Sequence, residues 1–160
     1  MDTACRDTGQ YFCNLRPFSL PRQGNQVTLL ENGKAALEAI HKAITKAKSF
    51  VWIADWQMAY DVELVERGSP EFPGRLHAVI ENIIKDKPIQ FRVLLYKSPT
   101  DAVGTFDDLV AEQINGLNKP GYKGSVLALQ QGATSDQGDG WDYSHHQKFV
   151  VVDGEVAFIG

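Results

Sequence analysis

The sequence is poor in cysteine, in long apolar runs and in basic residues, and each shortage excludes a class of protein. Both cysteines, Cys5 and Cys13, precede any periodic pattern, so a bridge between them would staple only a tail, and a disulfide scaffold is excluded. No run approaches the roughly 18 apolar residues of a membrane span, and Asp2, Arg6 and Asp7 interrupt any signal-peptide core. We expect a soluble chain, cytoplasmic or exported without a classical signal.

The charge balance is mildly acidic, with 16 Lys and Arg against 20 Asp and Glu and a net charge of −4. A protein that wraps nucleic acid non-specifically needs clustered basic residues, so we expect no nucleic-acid partner. A small basic pocket stays compatible with this balance. At 160 residues, 43% hydrophobic and 22% charged, the chain has the composition of one globular domain.

The chain divides by pattern into an irregular lead-in, residues 1–26, and a region of alternating strand and helix signals, residues 27–160. In the second region Asn32 is a predicted helix cap, and the nearly all-apolar run 50–54 predicts a strand buried on both faces. Strands are predicted at 27–30, 50–54, 89–95, 125–129, 149–152 and 156–159, with helices after Asn32, from Leu76 and over 105–117. A flexible loop is predicted over 130–140.

Asp153-Gly154 lies between the last two predicted strands, and Asp-Gly is a strong signal for a tight hairpin turn. A hairpin requires an antiparallel pair, whereas strands that alternate with helices form parallel pairs. The predicted fold is therefore α/β, with a mixed sheet flanked by helices and closed by a β-hairpin.

A chemically informative pattern leads into this hairpin: His146-x-Lys148 is followed, after four intervening residues, by Asp153. With 4 His, 10 Lys and 12 Asp in the chain, chance would produce roughly 0.02 such matches. Residues two apart share a face of a strand, so His146 and Lys148 can meet one phosphate. A neutral imidazole can attack phosphorus while the ammonium neutralises charge on the phosphoryl oxygens, without a metal or cofactor.

Asp153 follows His146 by seven residues, an odd number that places it on the opposite face of a regular strand, at the turn. We infer that it braces the turn and does not touch substrate. A metal site built from His145, His146 and Asp142 or Asp139 is disfavoured, since adjacent histidines point apart on a strand and the spacing suits no common zinc pattern.

Residues 145–154, followed by 156–160, closely resemble the first histidine-lysine-aspartate motif of the phospholipase D superfamily. The doubled histidine and His-Gln-Lys are more similar to the phospholipases proper than to the small nucleases. Residues 30–33 and 47–54 resemble the opening strand-helix-strand of that family. The resemblance covers residues 27–160 and implies a phospholipase D-like lobe in which His146, Lys148 and Asp153 are the motif members.

The resemblance implies a two-step displacement through a phosphohistidine, with a second motif supplying another histidine. This chain holds one such motif, because neither His41 nor His77 is followed by a lysine two residues later. We expect an N-terminal lobe whose partner is a C-terminal half or second chain, or alternatively a homodimer, acting on a phospholipid membrane surface. We expect the carboxylate that orients the nucleophile beyond Gly160.

Three neighbours of the motif are predicted to bind substrate: His145, Trp56 and Tyr143. Trp56 follows a strand where open α/β sheets place ligand contacts, and Tyr143 has the amphipathic ring that favours a lipid interface. Packing roles are the alternatives for Trp56 and Tyr143, and His145 is also interpreted as a neighbour that points to the other face.

Two other functions compete with glycerophospholipid hydrolysis or phosphatidyl transfer. One is a nuclease or a cardiolipin-synthase-like transferase on the same fold. The other is a catalytically inert half that binds a phosphate-containing ligand. Secreted effectors and cytosolic enzymes share the motif, so the resemblance is compatible with either compartment.

Overall fold

The computed structural model describes residues 23–66, 74–97, 106–132 and 146–160. Residues 23–30 belong to one compact unit and residues 31–160 to a second. The helices and strands of the described ranges all lie in the second unit: α1 Gly33–Thr45, β1 Phe50–Asp55, α2 Leu76–Asp86, β2 Gln90–Lys97, α3 Asp107–Asn115, β3 Ser125–Gly132, β4 Phe149–Val152 and β5 Val156–Ile159.

The five strands form one mixed sheet in the order β3-β2-β1-β4-β5. Strands β1, β2 and β3 are parallel, and α2 and α3 supply the crossover connections that parallel neighbours require. Strand β4 runs antiparallel to β1, and β5 returns antiparallel to β4. The predicted α/β fold with a mixed sheet and a closing hairpin is confirmed.

Local chemistry explains where the helices begin. Asn32 caps helix α1: its side-chain oxygen accepts a hydrogen bond from the Ala35 backbone N–H at 2.9 Å, as predicted. Asp107 and Asp108 in the first turn of α3 complement the positive end of the helix dipole. Among the described residues, no helix combines the length and apolar character needed to cross a membrane.

Two asparagines cover the outer edge of β3. Asn115 accepts a hydrogen bond from Ala128 N at 2.8 Å and donates to Ala128 O at 3.0 Å. Asn118 pairs in the same way with the backbone of Val126. Each side-chain amide thus takes the place of a neighbouring strand, which satisfies an edge that would otherwise remain open to pairing.

The hydrophobic core lies on one face of the sheet. Alternate residues of the strands, including Val51 and Phe91, pack with the apolar sides of α1, α2 and α3. The opposite face carries exposed apolar side chains, among them Trp52, which is 50% exposed, and Leu129. The prediction that β1 is buried on both faces is therefore wrong at Trp52, because an apolar run does not reveal whether both faces are covered.

Two sequence-predicted boundaries also need correction. Residues 27–30 form no strand, and Val27 and Leu29 are almost fully exposed, because an apolar run becomes a strand only where a neighbour pairs with it. Strand β3 continues past Leu129 to Gly132, where a loop was predicted, because Gly132 stays in parallel register with Lys97 of β2. The remaining loop residues, 133–140, and the lead-in up to residue 22 lie outside the described residues.

The hairpin turn forms at Asp153-Gly154 as predicted. Both residues have positive φ, 54° and 72°, as the primed hairpin turns require, and glycine adopts this backbone readily. Val152 pairs with Val156 in the ladder, so Glu155 is an additional residue in the turn.

Candidate active site

The candidate active site lies at the edge of the sheet where the three parallel strands end. Strand β4 begins at this same edge, because Phe149 pairs with Ala54 near the end of β1. His146 and Lys148 directly precede β4, so the topology brings them beside the residues that follow β1. The carboxyl ends of strands are the usual place for ligand contacts in open α/β sheets.

His146 and Lys148 are in direct contact. The Lys148 Nζ lies 3.1 Å from His146 Nε2 and 3.4 Å from the His146 carbonyl oxygen. An ammonium group has only donors, so a hydrogen bond between the two groups requires Nε2 as the acceptor, which is the tautomer with the ring proton on Nδ1. In that tautomer Nε2 carries the lone pair that a nucleophile needs, and the Lys148 ammonium beside it would attract an anionic phosphate.

Backbone contacts hold this pair at the sheet. Gly160, directly after β5, donates its N–H to the Lys148 carbonyl oxygen at 3.2 Å, which extends the hairpin ladder to the lysine. The His146 side chain is exposed, whereas Lys148 is half-buried. An exposed imidazole beside a backbone-anchored lysine can be approached by a bulky phosphodiester.

Two stacked aromatic rings, Trp56 and Tyr96, lie next to His146, and Trp56 is the one in contact with it. The Trp56 and His146 ring centroids are 5.5 Å apart in an edge-on arrangement, and Trp56 stacks on Tyr96 at 6.0 Å and 14°. Trp56 N donates to the Asp55 side chain at 2.8 Å, which fixes the backbone where β1 ends. Trp56 Nε1 is buried and has no acceptor among the described residues.

Asp153 lies at the other end of β4. Its carboxylate accepts hydrogen bonds from the backbone N–H groups of Lys48, Ser49 and Phe50 at 2.9, 2.8 and 3.0 Å. Burial raises the pKa of Asp153, but these three donors and the positive charge of Lys48 outweigh it, and the net pKa is lowered. Asp153 thus ties the hairpin turn to the start of β1, away from His146 and Lys148.

The structure brings three of the sequence-predicted site residues together, His146, Lys148 and Trp56, and places Asp153 apart from them. His145 and Tyr143 lie outside the described residues. Sequence analysis missed Tyr96. The parallel register of β1 and β2 explains its position: Asp55 pairs with Leu95, and Trp56 and Tyr96 are the residues that follow them.

The described ranges contain no group of three histidine, cysteine, aspartate or glutamate side chains placed to hold a metal ion. The other two histidines lie in helices: His41 in α1, and His77 in α2 beside the Tyr60 ring at 5.2 Å. The Lys148 ammonium and the His146 imidazole at the carboxyl edge are groups that suit contact with a phosphate.

No family model matches the chain. The curated proteins that match it are phospholipases D. The chain is 30% identical over 144 residues to phospholipase D zeta 1 of Arabidopsis thaliana, covering 90% of this chain and 12% of that protein. It is 29% identical to phospholipase D zeta 2 of the same plant and 22% identical to phospholipase D C of Dictyostelium discoideum. The chain spans about a tenth of the length of these relatives.

Among solved structures, NucT from Helicobacter pylori matches with a TM-score of 0.49 and 13% identity, over 80% of this chain and 66% of that one.

Proposed function

We propose that this chain is a phospholipase D-superfamily lobe of a phosphodiesterase that cleaves or transfers the phosphatidyl group of a glycerophospholipid. The observation that carries this proposal is the 3.1 Å contact between Lys148 Nζ and His146 Nε2 at an exposed strand end. The names of the curated relatives and the net charge of −4 both favour a lipid over a nucleic acid.

In the proposed reaction His146 Nε2 attacks phosphorus, a P–N bond forms, and the bond to the head-group oxygen breaks. Lys148 moves from Nε2 to the phosphoryl oxygens and neutralises the charge that builds up on them. A histidine outside this chain protonates the departing alcohol. That histidine then takes a proton from water or from an acceptor alcohol. The oxygen of that water or alcohol attacks phosphorus, the P–N bond to His146 breaks, and phosphatidic acid or a new phospholipid is released.

The second histidine and lysine must come from another half of the protein or another chain. A neutral His146 with its lone pair on Nε2 suits the attacking role, so we assign the nucleophile to this lobe. Asp153 contributes to the fold of the motif and not to the chemistry, because its carboxylate is engaged by the start of β1.

The test uses the active assembly, meaning this chain together with the polypeptide that supplies the second motif. His146→Ala should lower head-group release from phosphatidylcholine or phosphatidylethanolamine vesicles by roughly 10³-fold or more, as loss of a nucleophile does. Gln147→Ala is the matched control, because Gln147 is the exposed residue between the two motif side chains, and it should keep near-normal activity.

Three outcomes would count against the proposal. Unchanged lipid cleavage by His146→Ala would remove the residue from the chemistry. Cleavage of single-stranded DNA in place of lipid would assign a nuclease. Lack of both activities in an assembly that still binds a phosphodiester would indicate an inert binding half.

A further inference from the structure

We propose that Trp56 is a positioning residue for His146, supported from behind by Tyr96. This inference rests on the proposed function, because it concerns the orientation of the proposed nucleophile. The juxtaposition is a row of three rings, Tyr96 on Trp56 and Trp56 against His146, at the carboxyl edge of the sheet.

His146 needs such support because of its place in the chain. It precedes β4, outside the strand ladder, and its side chain is exposed. Within the described ranges its ring contacts are the Trp56 indole and the Lys148 ammonium. When a phosphate draws Lys148 away, the indole is the ring contact from the described residues that continues to limit rotation of the imidazole.

The indole itself is well fixed. Tyr96 is only 8% exposed and lies within β2, so it forms a rigid backing for the stacked Trp56 ring. The backbone of Trp56 is held by the Asp55 side chain. A ring contact from a fixed indole to an exposed imidazole restricts the path along which Nε2 approaches phosphorus, and small misplacements of a reacting group cost much of the rate.

The contact depends on the ring and not on a hydrogen bond. Trp56 Nε1 is buried and finds no acceptor among the described residues. A phenylalanine at this position retains an aromatic face against His146 and Tyr96 but has no N–H group. Trp56→Phe therefore separates positioning through ring packing from donation of a hydrogen bond to substrate.

The kinetic test compares Trp56→Ala, Trp56→Phe and Trp52→Ala in the active assembly, with phosphatidylcholine vesicles as substrate. Trp56→Ala should lower kcat by roughly 10- to 100-fold with KM nearly unchanged, and Trp56→Phe should recover most of the loss. Trp52→Ala is the matched control: it removes an indole that lies within β1 and contacts the Phe50 ring at 4.8 Å, away from His146. Its kcat should stay within about twofold of the parent value.

A second measurement does not depend on turnover. The imidazole ¹⁵N shifts of His146 in the full chain should report one dominant tautomer, protonated on Nδ1, and Trp56→Ala should shift them toward the average of the two tautomers. Near-UV circular dichroism identifies any variant that loses its tertiary packing. If Trp56→Ala loses it, the test rests on the kcat and the ¹⁵N shifts of Trp56→Phe.

The inference is overturned if Trp56→Phe is as impaired as Trp56→Ala, if Trp56→Ala changes KM alone, or if it leaves kcat and the ¹⁵N shifts unchanged. These results differ from failure of the proposed function. If His146→Ala abolishes activity while Trp56→Ala does not reduce it, only the positioning role is lost. If His146→Ala remains active, the proposed nucleophile itself is wrong.

Discussion

Each end of strand β4 is anchored by a different kind of contact. At its start, His146 and Lys148 meet each other and the Trp56 ring through side chains, and the imidazole is exposed. At its end, Asp153 binds three backbone N–H groups at the start of β1. One short motif thus supplies reactive groups at one edge of the sheet and a structural tie at the other, and mutations at the two ends should separate activity from stability.

The largest effect is expected at the reactive end. Lys148→Met removes the charge while retaining most of the side-chain length, so phospholipid cleavage should fall roughly 10²- to 10³-fold. The free energy of unfolding, measured by urea titration, should change by no more than about 0.5 kcal/mol, because Lys148 is not part of the core. Lys85→Met, which alters an exposed lysine near the end of α2, is the control. Loss of stability in step with activity for Lys148→Met would contradict the division between the two ends.

The next effect is expected at the structural end. Asp153→Ala leaves three backbone donors without their acceptor and places alanine at a positive φ, so we expect a loss of about 1–3 kcal/mol in the free energy of unfolding. Asp153→Asn should lose less, because asparagine tolerates this backbone and keeps an acceptor oxygen. Glu155→Ala is the control for a neighbouring exposed carboxylate. A stable Asp153→Ala protein with no activity would show instead that Asp153 acts in the chemistry.

A smaller, pH-dependent effect sharpens the same contrast. Folding lowers the pKa of Asp153, so the unfolded chain binds the proton more readily in the acidic range. The stabilisation from the charged carboxylate is complete above its unfolded pKa of about 3.9 and disappears as the pH falls through the lower folded pKa. The difference in unfolding free energy between the parent chain and Asp153→Asn should therefore shrink as the pH is lowered from 6 toward 2. A difference that stays constant over this range would contradict the role of the charge.

Local patterns predicted most of the fold. The cap at Asn32, the apolar spacing of α2 and the Asp-Gly turn all depend on interactions within a few residues, and the structure contains each of them. The errors arose where a neighbour that is distant in the sequence decides whether a segment forms a strand or where a strand ends. Residues 27–30 have an apolar pattern but no paired strand, and β3 extends through polar residues because β2 lies in register beside it.

The candidate site divides in the same way. The two-residue spacing predicted that His146 and Lys148 lie on one face, and the 3.1 Å contact between them is compatible with that placement. The aromatic neighbours required the fold, since Tyr96 and Trp56 are 40 residues apart and stack only through the parallel register of β1 and β2. The apolar pattern of each strand does not specify the register between them.

The sequence by itself determined the alternation of helices and strands, the hairpin and the position of His146 and Lys148 just before strand β4, because these follow from local backbone preferences and apolar spacing. Only the tertiary structure decided that Trp56 lies against His146 and that Asp153 binds residues 48–50, more than 100 positions away in the chain. Such contacts depend on how the strands order within the sheet, and that order is set by the packing of the whole core.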